Sequence, residues 1–213
     1  MHRRYLLKAI QCGLAGKAGD TAAYKAAALG TPAYGDLDQR LATLANPLPE
    51  ITVDALRSNP SGSFGDSLAQ FLQGNCIQPL ILAKETRIEL QDSPILAIRY
   101  PILHDAFHVL LGFDTSLVGE LAVWSFVAAQ HYSPAYERAA FIGRWFTRLL
   151  MPWQWQRLNA YEQVGRTLGK QATCIIAQPL EVYWSMPLQD VRQQFDLPLR
   201  GWTSFIEGVS GSF

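Results

Sequence analysis

Apolar residues recur at three- and four-residue intervals through residues 4–18, 36–45, 64–73, 102–111, 116–130, 135–150, 154–170 and 187–195, the period of helices with one buried face. The pattern predicts a mainly α fold, a single-domain multi-helix bundle. Asn46-Pro47-Leu48-Pro49, Asn59-Pro60-Ser61-Gly62, Ser133-Pro134 and Met151-Pro152 fall between the periodic stretches and read as connections, with Pro134 at the first turn of a helix. Residues 51–58 read as one more short helix. Two stretches depart from the helical period. Thr86-Arg87-Ile88-Glu89-Leu90 alternates as a strand does, and Cys174-Ile175-Ile176 is short and β-branched ahead of Pro179, so both are expected as minor extended elements.

With 213 residues, 49% of them apolar, and no linker rich in Ser, Gly or charge, the chain suits one core and one domain over 1–213. Eighteen basic residues balance eighteen acidic ones, which removes the electrostatic case for nucleic acid. Cys12, Cys76 and Cys174 are odd in number and lack CxxC spacing, as expected of packing residues in a reducing compartment. Residues 1–18 alternate Arg3, Arg4, Lys8 and Lys17 with Leu6, Leu7, Ile10 and Leu14. Such a basic amphipathic helix either packs on its own protein or lies on a membrane surface. Lys8, Gln11 and Lys17 interrupt any signal-peptide core and no stretch is apolar enough to span a bilayer, so a cytoplasmic protein is expected.

The chemistry concentrates in HDAFHVLLGFDTSLVGE, which holds His104, Asp105, His108 and Glu120. On a helix His104 and His108 lie about 40° apart, and Asp105 closes an arc of roughly 100° on the same face. Gly112, Asp114 and Thr115 read as a helix stop, a connection and the cap of a second helix starting near Ser116. His108 is about one turn before that break and Glu120 about one turn after it, which places four ligand-type side chains at one height of a helical hairpin. A lone histidine near apolar residues is ordinarily core. Burying two carboxylates among Val109, Leu110, Leu111, Phe113, Leu117 and Val118 without a cation would cost several kcal/mol each, so the four together point to a divalent metal. Two imidazoles and two carboxylates suit Zn, Fe or Mn, with Mg a poorer match. Small residues Ala128, Ala129, Ala139, Ala140 and Gly143 among large ones leave room for an elongated apolar cavity beside this hairpin. An HD-type phosphohydrolase would need another histidine well upstream, where only His2 stands.

The run HDxxHx11E filled by His104, Asp105, His108 and Glu120 resembles the signature of the Coq-four family of coenzyme Q (ubiquinone) biosynthesis proteins. Arg99-Tyr100, Gly169-Lys170 and WSMPLQDVRQQFDL extend the likeness over roughly residues 60–200. The resemblance implies a mainly helical protein, peripheral to the inner or plasma membrane, that binds a polyprenyl or other isoprenoid lipid and works with other quinone-biosynthesis proteins. A second copy of the chain is a further expected partner. It also implies the four motif residues as metal ligands, with the lipid's polar head at the metal. Two activities fit: metal-dependent oxidative decarboxylation of a prenylated hydroxybenzoate, or a non-catalytic lipid-binding scaffold. Arg99 and Lys170 are candidates for an anionic head group, Tyr100, Leu117, Trp124 and Phe146 for the rest of the ligand, and Tyr100, Asp114 and His131 for helpers in catalysis.

Overall fold

A computed structural model describes residues 3–198. The first two residues of the amphipathic N-terminal helix and the last two of the family-like stretch, 199–200, lie outside them. Among the described residues the chain forms eleven α-helices and no strand: α1 Arg3–Leu14, α2 Ala18–Leu29, α3 Leu37–Ala42, α4 Val53–Arg57, α5 Phe64–Gly74, α6 Lys84–Glu89, α7 Ile95–Leu111, α8 Leu117–Ala129, α9 Pro134–Leu150, α10 Trp155–Gln171 and α11 Leu188–Gln194. The mainly α expectation therefore holds. Both stretches expected to be extended are helical instead. Thr86–Glu89 belongs to α6, and Ile175–Ala177 is a single 3-10 turn. A five-residue alternation carries too little information to outweigh the packing of an adjacent turn, here Leu90 and Thr86 buried together.

Two other departures concern helix ends. Residues 18–29 show little apolar periodicity, yet six alanines supply the best intrinsic helix former, and α2 forms between Lys17 and Gly30. The motif helix starts seven residues before the expected 102, because α7 runs through Pro101 rather than beginning after it. A proline there removes one backbone bond. Thirteen of the seventeen residues of α7 are buried, and packing on nearly all sides outweighs that loss.

Around α7 lie α2, α3, α5 and α8, while α8 makes its broadest contacts with α10 and α9. The α8 and α10 backbones approach unusually closely. A Cβ on Gly165 would stand 2.2 Å from the Ala122 carbonyl oxygen, and one on Gly169 2.5 Å from that of Phe126. Only glycine fits at either place. At the other end of the molecule α1 packs on α2, and its basic side chains Arg4 and Lys8 pair with Glu89 of α6, which also accepts from Tyr24.

Arg99 of α7 is completely buried. It donates to the carbonyl oxygens of Ile176 (2.8 Å), Pro47 (2.7 Å), Gln178 (2.6 Å) and Asn46 (3.4 Å). Burial lowers its pKa to about 10, against the pull of Glu181, so it remains a cation at neutral pH. The expected head-group role for Arg99 is corrected accordingly. Its donors tie three segments of chain together, and each of these bonds ends on a backbone carbonyl oxygen.

Candidate metal centre

Gly112 ends α7 in the left-handed conformation, φ 74°, and its N–H returns to the His108 carbonyl. Ser116 then caps α8 by accepting from the Gly119 N–H, while Asp114 accepts from the Ser116 N–H and hydroxyl. The reversal anticipated from Gly112, Asp114 and Thr115 is present, with Ser116 rather than Thr115 as the cap. Gly119 permits it, since a Cβ there would meet the Asp114 carbonyl oxygen at 2.1 Å.

This turn brings Glu120 against both histidines. Glu120 Oε1 is 3.1 Å from His108 Nε2 and Oε2 is 3.3 Å from His104 Nε2, and the two Nε2 atoms are 3.2 Å apart. One ligand atom from each of the three side chains lies within 4.8 Å of the others. Four ligands at about 2.1 Å around a tetrahedral zinc are themselves about 3.4 Å apart, so these separations match the edges of a coordination sphere. His108 is buried, and His104 and Glu120 are half-buried.

The outer nitrogens are anchored. His108 Nδ1 lies 3.2 Å from the Phe113 carbonyl oxygen, which only accepts, so Nδ1 carries a proton and Nε2 is the nitrogen that faces Glu120. The Tyr100 hydroxyl holds His104 Nδ1 at 3.1 Å. Phe71 stacks on His108 and Tyr100 meets His104 edge-on. Bonds of this kind to the second ring nitrogen fix the orientation of metal-ligating histidines.

Electrostatics shows what the trio does without a cation. Burial alone would depress the His108 pKa, but the hydrogen bond and charge of Glu120 raise it above the ordinary value. Burial pushes Glu120 up, and the two imidazoles more than reverse this, holding it at about 2. The carboxylate and the imidazoles thus each favour the other's charged form. Asp105 lies outside the trio of converging ligand atoms. Its pKa is raised by burial, with His104 and His108 pulling it down and Glu120 pushing it up, so its carboxyl feels the centre from the side. Tyr100, enclosed by Tyr136, Trp124 and Phe107, keeps its hydroxyl proton far above neutral pH through burial.

His104 also forms part of a second feature. With Tyr100, Pro101, Trp124, Tyr136 and Ala139 it lines a largely apolar cleft of about 340 Å³, closed on the far side by Ala22, Ala26, Leu29 and Leu80. Tyr100 and Trp124 of the expected ligand residues meet here. Leu117 and Phe146 are exposed elsewhere, and Lys170 lines a different, polar groove between α9 and α10. Ala128, Ala129 and Ala140, expected beside the apolar cavity, line a mixed pocket with Arg144, Arg166 and Lys170. The contribution of α2 to the cleft escaped the sequence because that helix itself did. Asp114 serves the turn, and His131 is exposed and pairs with Glu137 at 2.8 Å.

Comparison with known proteins adds an independent line. Residues 48–199 match the family model described as coenzyme Q (ubiquinone) biosynthesis protein Coq4, a match starting at 48 rather than 60. The mitochondrial ubiquinone biosynthesis protein COQ4 homolog of Bos taurus is 30% identical over 165 residues, covering 72% of this chain and 58% of the relative. Its Rattus norvegicus counterpart is 27% identical, covering 70% and 56%. The chain therefore spans little more than half the length of these relatives. The crystal structure of a putative ubiquinone biosynthesis protein from Nostoc punctiforme superposes with a TM-score of 0.60 at 18% identity, covering 92% of this chain and 95% of that one, which establishes the common fold.

Proposed function

The chain belongs to the Coq4 family of ubiquinone biosynthesis proteins, and within that pathway we propose that it holds a prenylated quinone precursor, the polar head at a divalent metal on His104, His108 and Glu120 and the isoprenoid tail in the adjoining cleft. One observation carries the reading: His104 belongs both to the converging trio and to the wall of the apolar cleft. A molecule lying along the cleft would meet the trio at its end. Tails fit such walls because each buried CH₂ contributes about 0.8 kcal/mol, while Trp124 and Tyr136 add aromatic surface.

The donor set narrows the metal. Two imidazoles and one converging carboxylate form the set that zinc and ferrous iron share, with coordination positions left for water or a substrate oxygen, whereas Mg calls for more oxygen ligands. Asp105, held beside the trio, would balance charge or complete the set. A bound metal would polarise a ring or carboxyl oxygen, or activate oxygen for oxidative decarboxylation of a prenylated hydroxybenzoate. The residues' own part is to hold the head: the Phe113 carbonyl and the Tyr100 hydroxyl oxygen fix the two rings, each accepting from an outer Nδ1–H so that Nε2 stays open to a metal. Holding without turnover is the scaffold reading, with other quinone-biosynthesis proteins as its partners. No helix of the described residues is long and apolar enough to cross a membrane, so a membrane partner would be met at its surface.

Elemental analysis and mass spectrometry of extracted lipid test the two halves separately. Purified protein should hold about one zinc or iron and an isoprenoid lipid. Ala139→Phe, at the exposed rim of the cleft, should abolish lipid uptake and spare the metal. Protein that takes up neither metal nor added prenyl lipid overturns the reading. Carbon dioxide released from a prenylated hydroxybenzoate under oxygen would favour catalysis over holding.

A further inference from the structure

Helix α9 is turned inside out. Its inward side carries Ala140, Gly143 and Thr147, whereas Phe141, Ile142, Trp145, Phe146 and Leu149 are between 50% and 78% exposed, and Trp153 just beyond the helix is 72% exposed. At 3.6 residues per turn the five helical side chains occupy one arc of about 140°. A soluble helix orients its apolar arc the other way. Contiguous apolar surface of this extent marks an interaction site.

Charge says what covers it. Residues 134–171 hold six cations, Arg138, Arg144, Arg148, Arg157, Arg166 and Lys170, against Glu137 and Glu162, in a chain whose total charge is zero. Both carboxylates are engaged: Glu162 by Arg148 at 2.5 Å, Arg144 at 3.3 Å and Arg166 at 3.6 Å, and Glu137 by His131. Arg144, Arg166 and Lys170 line the open groove between α9 and α10, beside the apolar arc. Arg144 also lies 5.6 Å from the Trp145 ring, so cation and aromatic share one edge. A second copy of this surface would bring like charges together. An anionic lipid surface matches both features, because aromatic side chains settle at the head-group level while Lys and Arg attract anionic heads.

We propose that α9 is the membrane-docking face of this protein, its apolar arc lying in the interfacial layer of an anionic bilayer and the α9–α10 groove taking lipid phosphates. This deepens the lipid-holding reading and rests on it in one respect: Ala139, on the rim of the cleft, is exposed on the same helix, so the mouth opens beside the bilayer and a tail can enter without crossing water. Helix α1 also exposes Leu7, Ile10 and Leu14. Two of its basic groups, Arg4 and Lys8, are tied back to Glu89 of α6, and its apolar arc is shorter than that of α9.

Flotation with phosphatidylcholine vesicles, with and without phosphatidylglycerol, tests the proposal on the full chain. Wild type should bind the anionic vesicles, less strongly as salt rises, with a blue shift of tryptophan fluorescence. Trp145→Ser with Phe146→Ser, and separately Arg166→Glu with Lys170→Glu, should each weaken binding about tenfold or more, whereas Leu7→Ser with Ile10→Ser should not. All these side chains are exposed, so folding is expected to survive, and circular dichroism verifies it. Unchanged metal content in the Trp145/Phe146 variant separates this proposal from the lipid-holding reading. Absence of vesicle binding, equal binding to neutral vesicles, or dependence on α1 instead of α9 would overturn it. So would conversion of a wild-type dimer to a monomer by the Trp145/Phe146 changes with vesicle binding intact, which would identify a second copy as the occupant.

Discussion

Glu120 sits between the Nε2 atoms of His104 and His108, and Glu162 sits among the guanidinium groups of Arg144, Arg148 and Arg166. Both are carboxylates drawn out of water and surrounded by nitrogen. At Glu120 the nitrogens have lone pairs that a metal can share, and their outer sides are already fixed by Tyr100 and Phe113. At Glu162 every nitrogen is a permanent donor, and Asn159 completes the bonds of Arg148. Convergence of charged groups is common to both, and donor chemistry alone separates a ligand set from a structural ion cluster.

The comparison predicts opposite outcomes for matched substitutions. Glu162→Ala would leave the buried Arg148 uncompensated, at a cost of about 3–5 kcal/mol, or about 10 °C in Tm, with metal content unchanged; thermal unfolding and elemental analysis check both. Glu120→Ala should do the reverse, lowering metal affinity by an order of magnitude or more with little loss of stability in the metal-free protein. His108→Ala should match it in metal loss. Tyr100→Phe keeps the ring and removes the hydroxyl anchor of His104, so a smaller, severalfold drop in metal affinity is expected from competition with a chelating dye. Arg166→Ala removes the exposed member of the arginine cluster and should cost no more than about 1 kcal/mol in denaturant unfolding. Metal loss from Glu162→Ala, or a large stability loss from Glu120→Ala, would collapse the distinction.

The spacing of His104, His108 and Glu120 made one cluster readable from sequence, because three- and four-residue offsets and a glycine break translate directly into geometry. The other cluster was not readable, since its members come from α9 and α10, two helices whose relative register no local spacing encodes. Arg99 illustrates the same boundary. Its cationic character suggested a ligand, but its partners are carbonyl oxygens some 50 and 80 residues away, which carry no side-chain signature. Helix α2 was hidden by the opposite deficiency: alanine promotes helix without marking a face, so propensity was present where periodicity was not. Helix α9 had its period read correctly and its orientation missed, because amphipathicity shows which side is apolar and not whether that side turns inward.

Arg99 also limits how far the motif can be cut free of its surroundings. A peptide trimmed to α7, the turn and α8 would keep every ligand atom yet strip that guanidinium of its four acceptors, contributed by residues 46–47 and 176–178. The corner formed by His104, His108 and Glu120 is thus a property of the intact chain, and transplanting seventeen residues into another scaffold would carry over the letters without the keystone that holds them.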